Sequence, residues 1–189
     1  MRNSVLLALA VAAVLATAVG TSLFSQDMPA ASRPVTIVTN GGFDDNWTGW
    51  TATNQGTLDE EVVYDGPASL RIDSTSFVDG RGPVQYLDLK PGTRYVVSFA
   101  TKLKDVVPNK KDRYYPYGSC GAYVQFWGGM GVNVFLPGRC LTGTQRWEPY
   151  ACTVTTAKEK TEHKYYIKPS IRQATGTVWF DCIGVRELP

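Results

Sequence analysis

Histidine is almost absent from this chain: one residue, His163, in 189. It sits in the charged stretch Lys158 to Lys164, which reads as a solvated loop. Any Ser-His-Asp arrangement would have to use it. No Gly-x-Ser-x-Gly turn occurs, and Gly118-Ser119-Cys120-Gly121 lacks the required spacing. Neither Gly-x-x-x-x-Gly-Lys nor Gly-x-Gly-x-x-Gly occurs, which excludes those two phosphate cradles. An excess of one charge is also missing. Lys plus Arg number 19 and Asp plus Glu 17, a formal net charge of +2, so no basic stripe marks a nucleic-acid partner. A glycosidase needs two acids across a cleft; Asp59, Glu60, Glu61, Asp73, Asp79 and Asp88 are present, but nothing marks a pair. An apolar helical period over three turns is absent as well. The chain is expected to be non-catalytic and without helical layers.

Long hydrophobic runs are confined to the start. Met1-Arg2-Asn3-Ser4 is followed by apolar or small residues from Val5 to Val19, and Ala16-Thr17-Ala18 fits the small-x-small cleavage pattern. Residues 1–20 therefore read as a secretory signal peptide. The rival is an uncleaved anchor, since Val5 to Phe24 is about the 20 residues that a spanning helix needs. No Cys lies near the cleavage region, so a lipid anchor there is not expected. Residues 21–34 read as a polar, Pro-containing linker, and 35–189 as one domain long enough to bury a sizeable core. The expected location is extracellular, secreted or periplasmic, with no membrane contact after cleavage. Asn46-Trp47-Thr48 is an acceptor for N-glycosylation in a eukaryotic secretory pathway.

Export suits the four cysteines, Cys120, Cys140, Cys152 and Cys182, which allow three pairings. Cys120 and Cys140 are equidistant from Met130 in the turn signal Gly128-Gly129-Met130-Gly131. A hairpin folding there places them opposite each other. The expectation is Cys120–Cys140, with Cys152–Cys182 as the second bridge. Neither pair has the spacing of a zinc knuckle.

What remains reads as strands. Val35 to Val38, Ser69 to Asp73, Val84 to Leu89, Tyr95 to Lys102, Ala122 to Trp127, Val132 to Leu136, Trp147 to Thr155, Tyr165 to Ile171 and Thr177 to Val185 are β-branched or alternating. Turn residues separate them, which argues for an antiparallel β-sandwich. Lys104 to Ser119, basic and then rich in tyrosine (Tyr114, Tyr115, Tyr117), reads as a long surface loop that could rim a cleft. Trp50 and Trp147 read as core residues.

Three segments in order carry a resemblance. The first is Asn40-Gly41-Gly42-Phe43-Asp44-Asp45 with Thr48-Gly49-Trp50. The second is Gly66-Pro67-Ala68-Ser69-Leu70-Arg71-Ile72, then Leu87-x-Leu89-x-Pro91-Gly92-x-x-Tyr95-x-x-Ser98-Phe99. The third is Trp147-x-x-Tyr150, then Thr177-Val178-Trp179-Phe180-Asp181-Cys182-Ile183-Gly184-Val185. Together they resemble carbohydrate-binding modules of the cellulase-C type, families four, nine and their relatives. The resemblance implies an all-β, galactose-binding-like jelly roll and a polysaccharide or glycan partner; a monomer is expected. It also implies a structural calcium (Ca2+) held by Asp44 and Asp181. Cys182 departs from the second acid that the family often has there. Carboxylates joined by backbone carbonyls suit this hard cation.

Alternation locates the expected sugar surface. In Ala122 to Trp127 one face carries Ala122, Val124 and Phe126, and the other Tyr123, Gln125 and Trp127. In the stretch from Tyr165 to Arg172, Tyr165, Ile167 and Ile171 share the core parity, leaving Tyr166, Lys168, Ser170 and Arg172 outward. In the resembled family the concave sheet face forms the cleft. Tyr123, Gln125, Trp127, Tyr166 and Arg172 are therefore the expected ligand-binding residues, rings for stacking and planar polar groups for hydroxyls. The alternative is that Tyr123 and Trp127 lie under covering loops, in a secreted structural or protein-interaction sandwich that binds no sugar.

Overall fold

The computed structural model describes residues 36–112, 120–128, 132–159 and 162–189, and only the backbone of Cys140. All of them belong to one compact unit, Val35–Pro189. The expected leader and linker, the tyrosine cluster at 114–117 and the tip of the glycine turn lie outside the described residues.

Among the described residues, nine strands and one 3-10 turn, Thr53–Gln55, make up the regular structure. The strands are β1 (Thr57–Asp59), β2 (Ser69–Ser74), β3 (Gln85–Leu87), β4 (Arg94–Pro108), β5 (Gly121–Trp127), β6 (Asn133–Leu141), β7 (Gly143–Thr155), β8 (Tyr165–Arg172) and β9 (Ala174–Glu187). One sheet has the order β1-β2-β9-β4-β7 and the other β3-β8-β5-β6, every pairing antiparallel. This is the expected β-sandwich. Period-2 alternation sends Leu70 and Ile72 of β2, Val97 and Phe99 of β4, Val124 and Phe126 of β5, and Ile167 and Ile171 of β8 into one core between the sheets. Trp50 joins that core, stacked on Phe43 with ring centroids 5.2 Å apart. Burying each such ring contributes about 2–3 kcal/mol. Gly41 allows the close approach of this turn to β9, where Ile183 N–H donates to the Gly41 carbonyl at 2.9 Å. A Cβ on residue 41 would lie 1.8 Å from the Ile183 carbonyl oxygen.

Several expectations need correction. Of the expected strand Val35 to Val38, the described part, Thr36 to Val38, is not a regular strand; Ile37 N–H donates to the Val185 carbonyl and the Thr36 hydroxyl bonds the Val185 backbone, after which the chain turns. Lys104 to Pro108 is not loop but the end of β4. Pairing of Val107 with Thr175 and Pro108 with Ala174 across a bulge outweighs a composition poor in strand formers. Trp147 lies outside the core cluster and packs against Tyr64, ring centroids 5.7 Å apart.

The disulfide between Cys152 and Cys182 does not form. Cys152 stands on β7 opposite Val97 of β4, while Cys182 sits on β9 at the bulge against Phe99, on the other side of β4. Two strand spacings put their backbones about 9.6 Å apart, beyond the ~7 Å that a disulfide spans. Cys152 is a free thiol, and burial pushes its pKa up. The β5–β6 hairpin keeps the expected register near its turn: Trp127 faces Asn133 and Val124 faces Leu136. An irregularity then intervenes, so that Ala122 faces Leu141. The Cys120–Cys140 pairing itself falls on a side chain outside the described residues.

Candidate functional site

The four-stranded sheet turns its outer face away from the core, and that face carries the expected alternation. Tyr123, Gln125 and Trp127 of β5 and Tyr166, Lys168, Ser170 and Arg172 of β8 all point there, opposite the core residues between them. Register arranges them in rows. Tyr86 of β3, Tyr166, Trp127 and Asn133 of β6 lie side by side across all four strands. The next row holds Lys168, Gln125 and Phe135, and the next Ser170 and Tyr123.

The first row is an aromatic strip. Trp127 and Tyr166 stack at 5.1 Å with 22° between planes, and Tyr86 meets Tyr166 edge-on at 6.2 Å. The His163 ring lies 5.4 Å from the Trp127 ring, tilted by 53°. Trp127 and Tyr166 are half-buried by these contacts, whereas Tyr86 is 58% exposed and is the open end of the strip. Burial pushes the Tyr166 hydroxyl pKa up, with the neighbouring Tyr86 adding to it. A depression of about 480 Å³ adjoins this end, lined by Tyr86, His163, Asp88, Glu159 and Glu162 among others.

The second and third rows form a polar cleft of about 380 Å³. Gln125, Asn133, Phe135, Lys168, Arg172 and Asp79 line it, with Tyr123 and Gly80. Gln125 Nε2 donates to Asn133 Oδ1 at 2.9 Å, so both amides are pre-oriented. Arg172 Nε donates to Asp79 Oδ1 at 3.2 Å. Lys168 Nζ donates to the Gly80 carbonyl at 2.7 Å, and burial pulls its pKa down.

The segment before β3 closes one end of this cleft. Arg81 and Ile171 exchange backbone hydrogen bonds at 2.9 and 3.1 Å, and Ser170 Oγ donates to the Arg81 carbonyl at 2.7 Å. Gly80 rests on Tyr123, whose hydroxyl would be 2.8 Å from a Cβ at residue 80. Tyr123 is consequently 2% exposed, packed edge-on against Phe135 at 5.0 Å. Burial pushes its pKa up, against a hydrogen bond with Ser170 that lowers it. The structure thus brings Tyr123, Gln125 and Arg172 to one cleft and Trp127 with Tyr166 to the neighbouring strip. Of the five, Tyr123 lies beneath a covering segment.

Sequence reasoning missed Tyr86, Asn133, Phe135 and Asp79. Alternation within Val84 to Leu89 carried a signal for Tyr86, because Gln85 and Leu87 are buried on either side of it. Asp79 carried none, since it reaches the site only through the covering segment.

The two expected calcium ligands occupy different surroundings. A bulge at Cys182, whose φ is 50°, switches the core parity of β9 from Val178 and Phe180 to Ile183 and Val185. Asp181 is left on the outer face of the five-stranded sheet, yet it has 0% exposure because the 62–65 segment covers it. Its Oδ2 accepts N–H groups of Tyr64 at 3.0 Å and Asp65 at 3.1 Å, and its Oδ1 accepts the Cys182 N–H at 2.6 Å. Burial outweighs these donors and raises its pKa to about 7. Asp44 is exposed, in the turn that Gly41 ties to Ile183. Among the described residues no group of three or more His, Cys, Asp or Glu side chains converges on one point.

Comparison with known proteins follows the same lines. A family model described as a carbohydrate binding domain, uniting types 4 and 9, matches residues 35–115. No curated protein matches the sequence. Among solved structures, the fold is similar to a family 16 carbohydrate-binding module (18% identity, 80% of this chain and 100% of that one, TM-score 0.53). It is similar to the module TmCBM61 in complex with β-1,4-galactotriose (12% identity, 82% and 99%, TM-score 0.51). It is also similar to a cyclase in its apo form from Fischerella sp. (14% identity, 82% and 97%, TM-score 0.55). With the carbohydrate-binding-domain match over residues 35–115 and this architecture, the chain has the jelly-roll fold of a carbohydrate-binding module.

Proposed function

We propose that the chain is a non-catalytic carbohydrate-binding module, acting outside the cytoplasm, whose ligand lies along the outer face of the four-stranded sheet. The observation that carries this reading is the row Tyr86–Tyr166–Trp127, with an exposed ring at one end and a polar cleft one row away. Pyranose C–H faces pack on rings, and Gln125, Asn133 and Arg172 supply directional partners for hydroxyls. The match of residues 35–115 to a carbohydrate binding domain supports it. Location outside the cytoplasm rests on the apolar run of residues 5–19 and the small-residue pattern after it. Retention in affinity gels containing embedded polysaccharides tests the reading. The wild type should be retarded by at least one polysaccharide and Tyr86→Ala and Trp127→Ala less so. No retardation on any polysaccharide would leave the alternative, a structural or protein-interaction sandwich.

Calcium belongs to the same proposal. Asp181 fits a hard cation: it is a buried carboxylate, and among the described residues no cationic side chain pairs with it. Asp44 would contribute from the neighbouring turn, with backbone carbonyls and water completing six to eight oxygens. The ion would neutralise Asp181 and pin the 40–44 and 62–65 segments to β9.

A further inference from the structure

Charge within the polar cleft is not balanced. Arg172 is paired with Asp79, whose side chain is 82% exposed at the rim. Lys168 is different. It is half-buried on the cleft floor, and among the described residues it forms no ion pair. Among the described residues its hydrogen-bond partner is the neutral Gly80 carbonyl, which leaves two of its three N–H donors for a ligand. Desolvation opposes its charge. Among the described residues the one acid lining this cleft is Asp79, which Arg172 holds, whereas Asp88, Glu159 and Glu162 line the other depression, at the Tyr86 end. Lys168 also pairs in register with Gln125, one row from the stacked Trp127 and Tyr166. Positions two residues apart along a strand are about 6.8 Å apart. That spacing suits a pyranose on the aromatic strip whose charged substituent, or whose neighbouring charged residue, reaches the ammonium.

Resting on the carbohydrate reading above, we propose that the cleft selects glycans bearing an anionic group, a uronate carboxylate or a sulfate ester, which Lys168 receives. A charge-assisted hydrogen bond formed away from bulk water gives selectivity over the neutral sugar of about tenfold or more. Arg172 supports the same preference but is already shared with Asp79, so Lys168 is the residue that decides.

The test compares three polysaccharides in affinity gels and calorimetry with the full chain: a neutral galactan, de-esterified polygalacturonate and a sulfated galactan. The expected result is about tenfold tighter binding of at least one acidic polymer than of the neutral one, weakening as salt rises. Which acidic polymer binds identifies carboxylate or sulfate. Lys168→Gln should reduce the acidic-to-neutral ratio about tenfold, with folding checked by melting temperature because Lys168 also holds Gly80. Asp79→Asn, at an exposed position, should strengthen acidic binding by releasing Arg172. Equal or tighter binding of the neutral galactan, or a ratio unchanged in Lys168→Gln, overturns this proposal and leaves carbohydrate binding intact. Absence of binding to all three, with none to other polysaccharides, overturns both.

Discussion

Tyr123 and Trp127 share one strand and one parity, yet their surroundings separate their roles. Tyr123 lies beneath Gly80 with its hydroxyl bonded to Ser170, so it supports the floor of the cleft. Tyr123→Phe should cost about 1 kcal/mol of stability by denaturant unfolding and change polysaccharide affinity by less than about twofold. Trp127 stacks on Tyr166 and keeps part of its ring accessible. Trp127→Ala should lower affinity about tenfold or more while preserving the fold. An affinity loss in Tyr123→Phe equal to that in Trp127→Ala would mean that the covering segment opens to admit ligand. Which ring is covered was not legible in the sequence. Alternation assigns a face, but it says nothing of a segment folding back over that face, and a backbone that includes two glycines gives no apolar pattern to read.

At the scale of elements, the core-bearing strands were legible because their alternation is unbroken. Ser69 to Asp73, Ala122 to Trp127 and Tyr165 to Ile171 match β2, β5 and β8 within a residue or two. What failed was where pairing, not local pattern, decides. The last residues of β4 are held by β9 across a bulge, β1 is three residues long, and Thr36 to Val38 has a strand composition without a full ladder beside it. The Cys152–Cys182 expectation failed for a related reason. It rested on elimination among four cysteines, whereas the order β9-β4-β7 sets a strand between them. The covering segment depends on Gly82, whose φ is 149° and where a Cβ would lie 1.8 Å from the Pro169 carbonyl oxygen. Gly82→Ala should destabilise the domain by about 2–3 kcal/mol, read by denaturant unfolding. A neutral effect would mean that the segment is not packed against β8 in solution.

At the scale of the whole molecule, the charge of Asp181 adds a pH dependence to stability. With no cation bound, its folded-state pKa of about 7 stands above the ordinary 3.8. The folded state then binds a proton that the unfolded chain gives up. This contribution to stability is complete below about pH 4 and is lost as pH rises through 7. The chelated protein should therefore melt at a lower temperature at pH 8 than at pH 5, and added calcium should raise the pH 8 value by mass action. Asp181→Asn should remove both dependences. A melting temperature indifferent to chelator and calcium at pH 8 would contradict the calcium part of the account. The outward placement of Asp181 was not legible in the sequence, because parity along β9 does not reveal the bulge that turns it away from the core.

The central claim is that sugar lies on the outer face of the four-stranded sheet. The five tryptophans offer separate indole N–H reporters for it. Trp127 stands on that face, and Trp179 stands on the outer face of the other sheet, where its Nε1 donates to Asp59 at 2.8 Å. Two-dimensional NMR during titration with a polysaccharide that retards the protein measures both at once. The account predicts that the Trp127 indole resonance shifts with saturation while that of Trp179 stays fixed. Movement of Trp179 with Trp127 unchanged would place the ligand on the opposite side of the sandwich and contradict it.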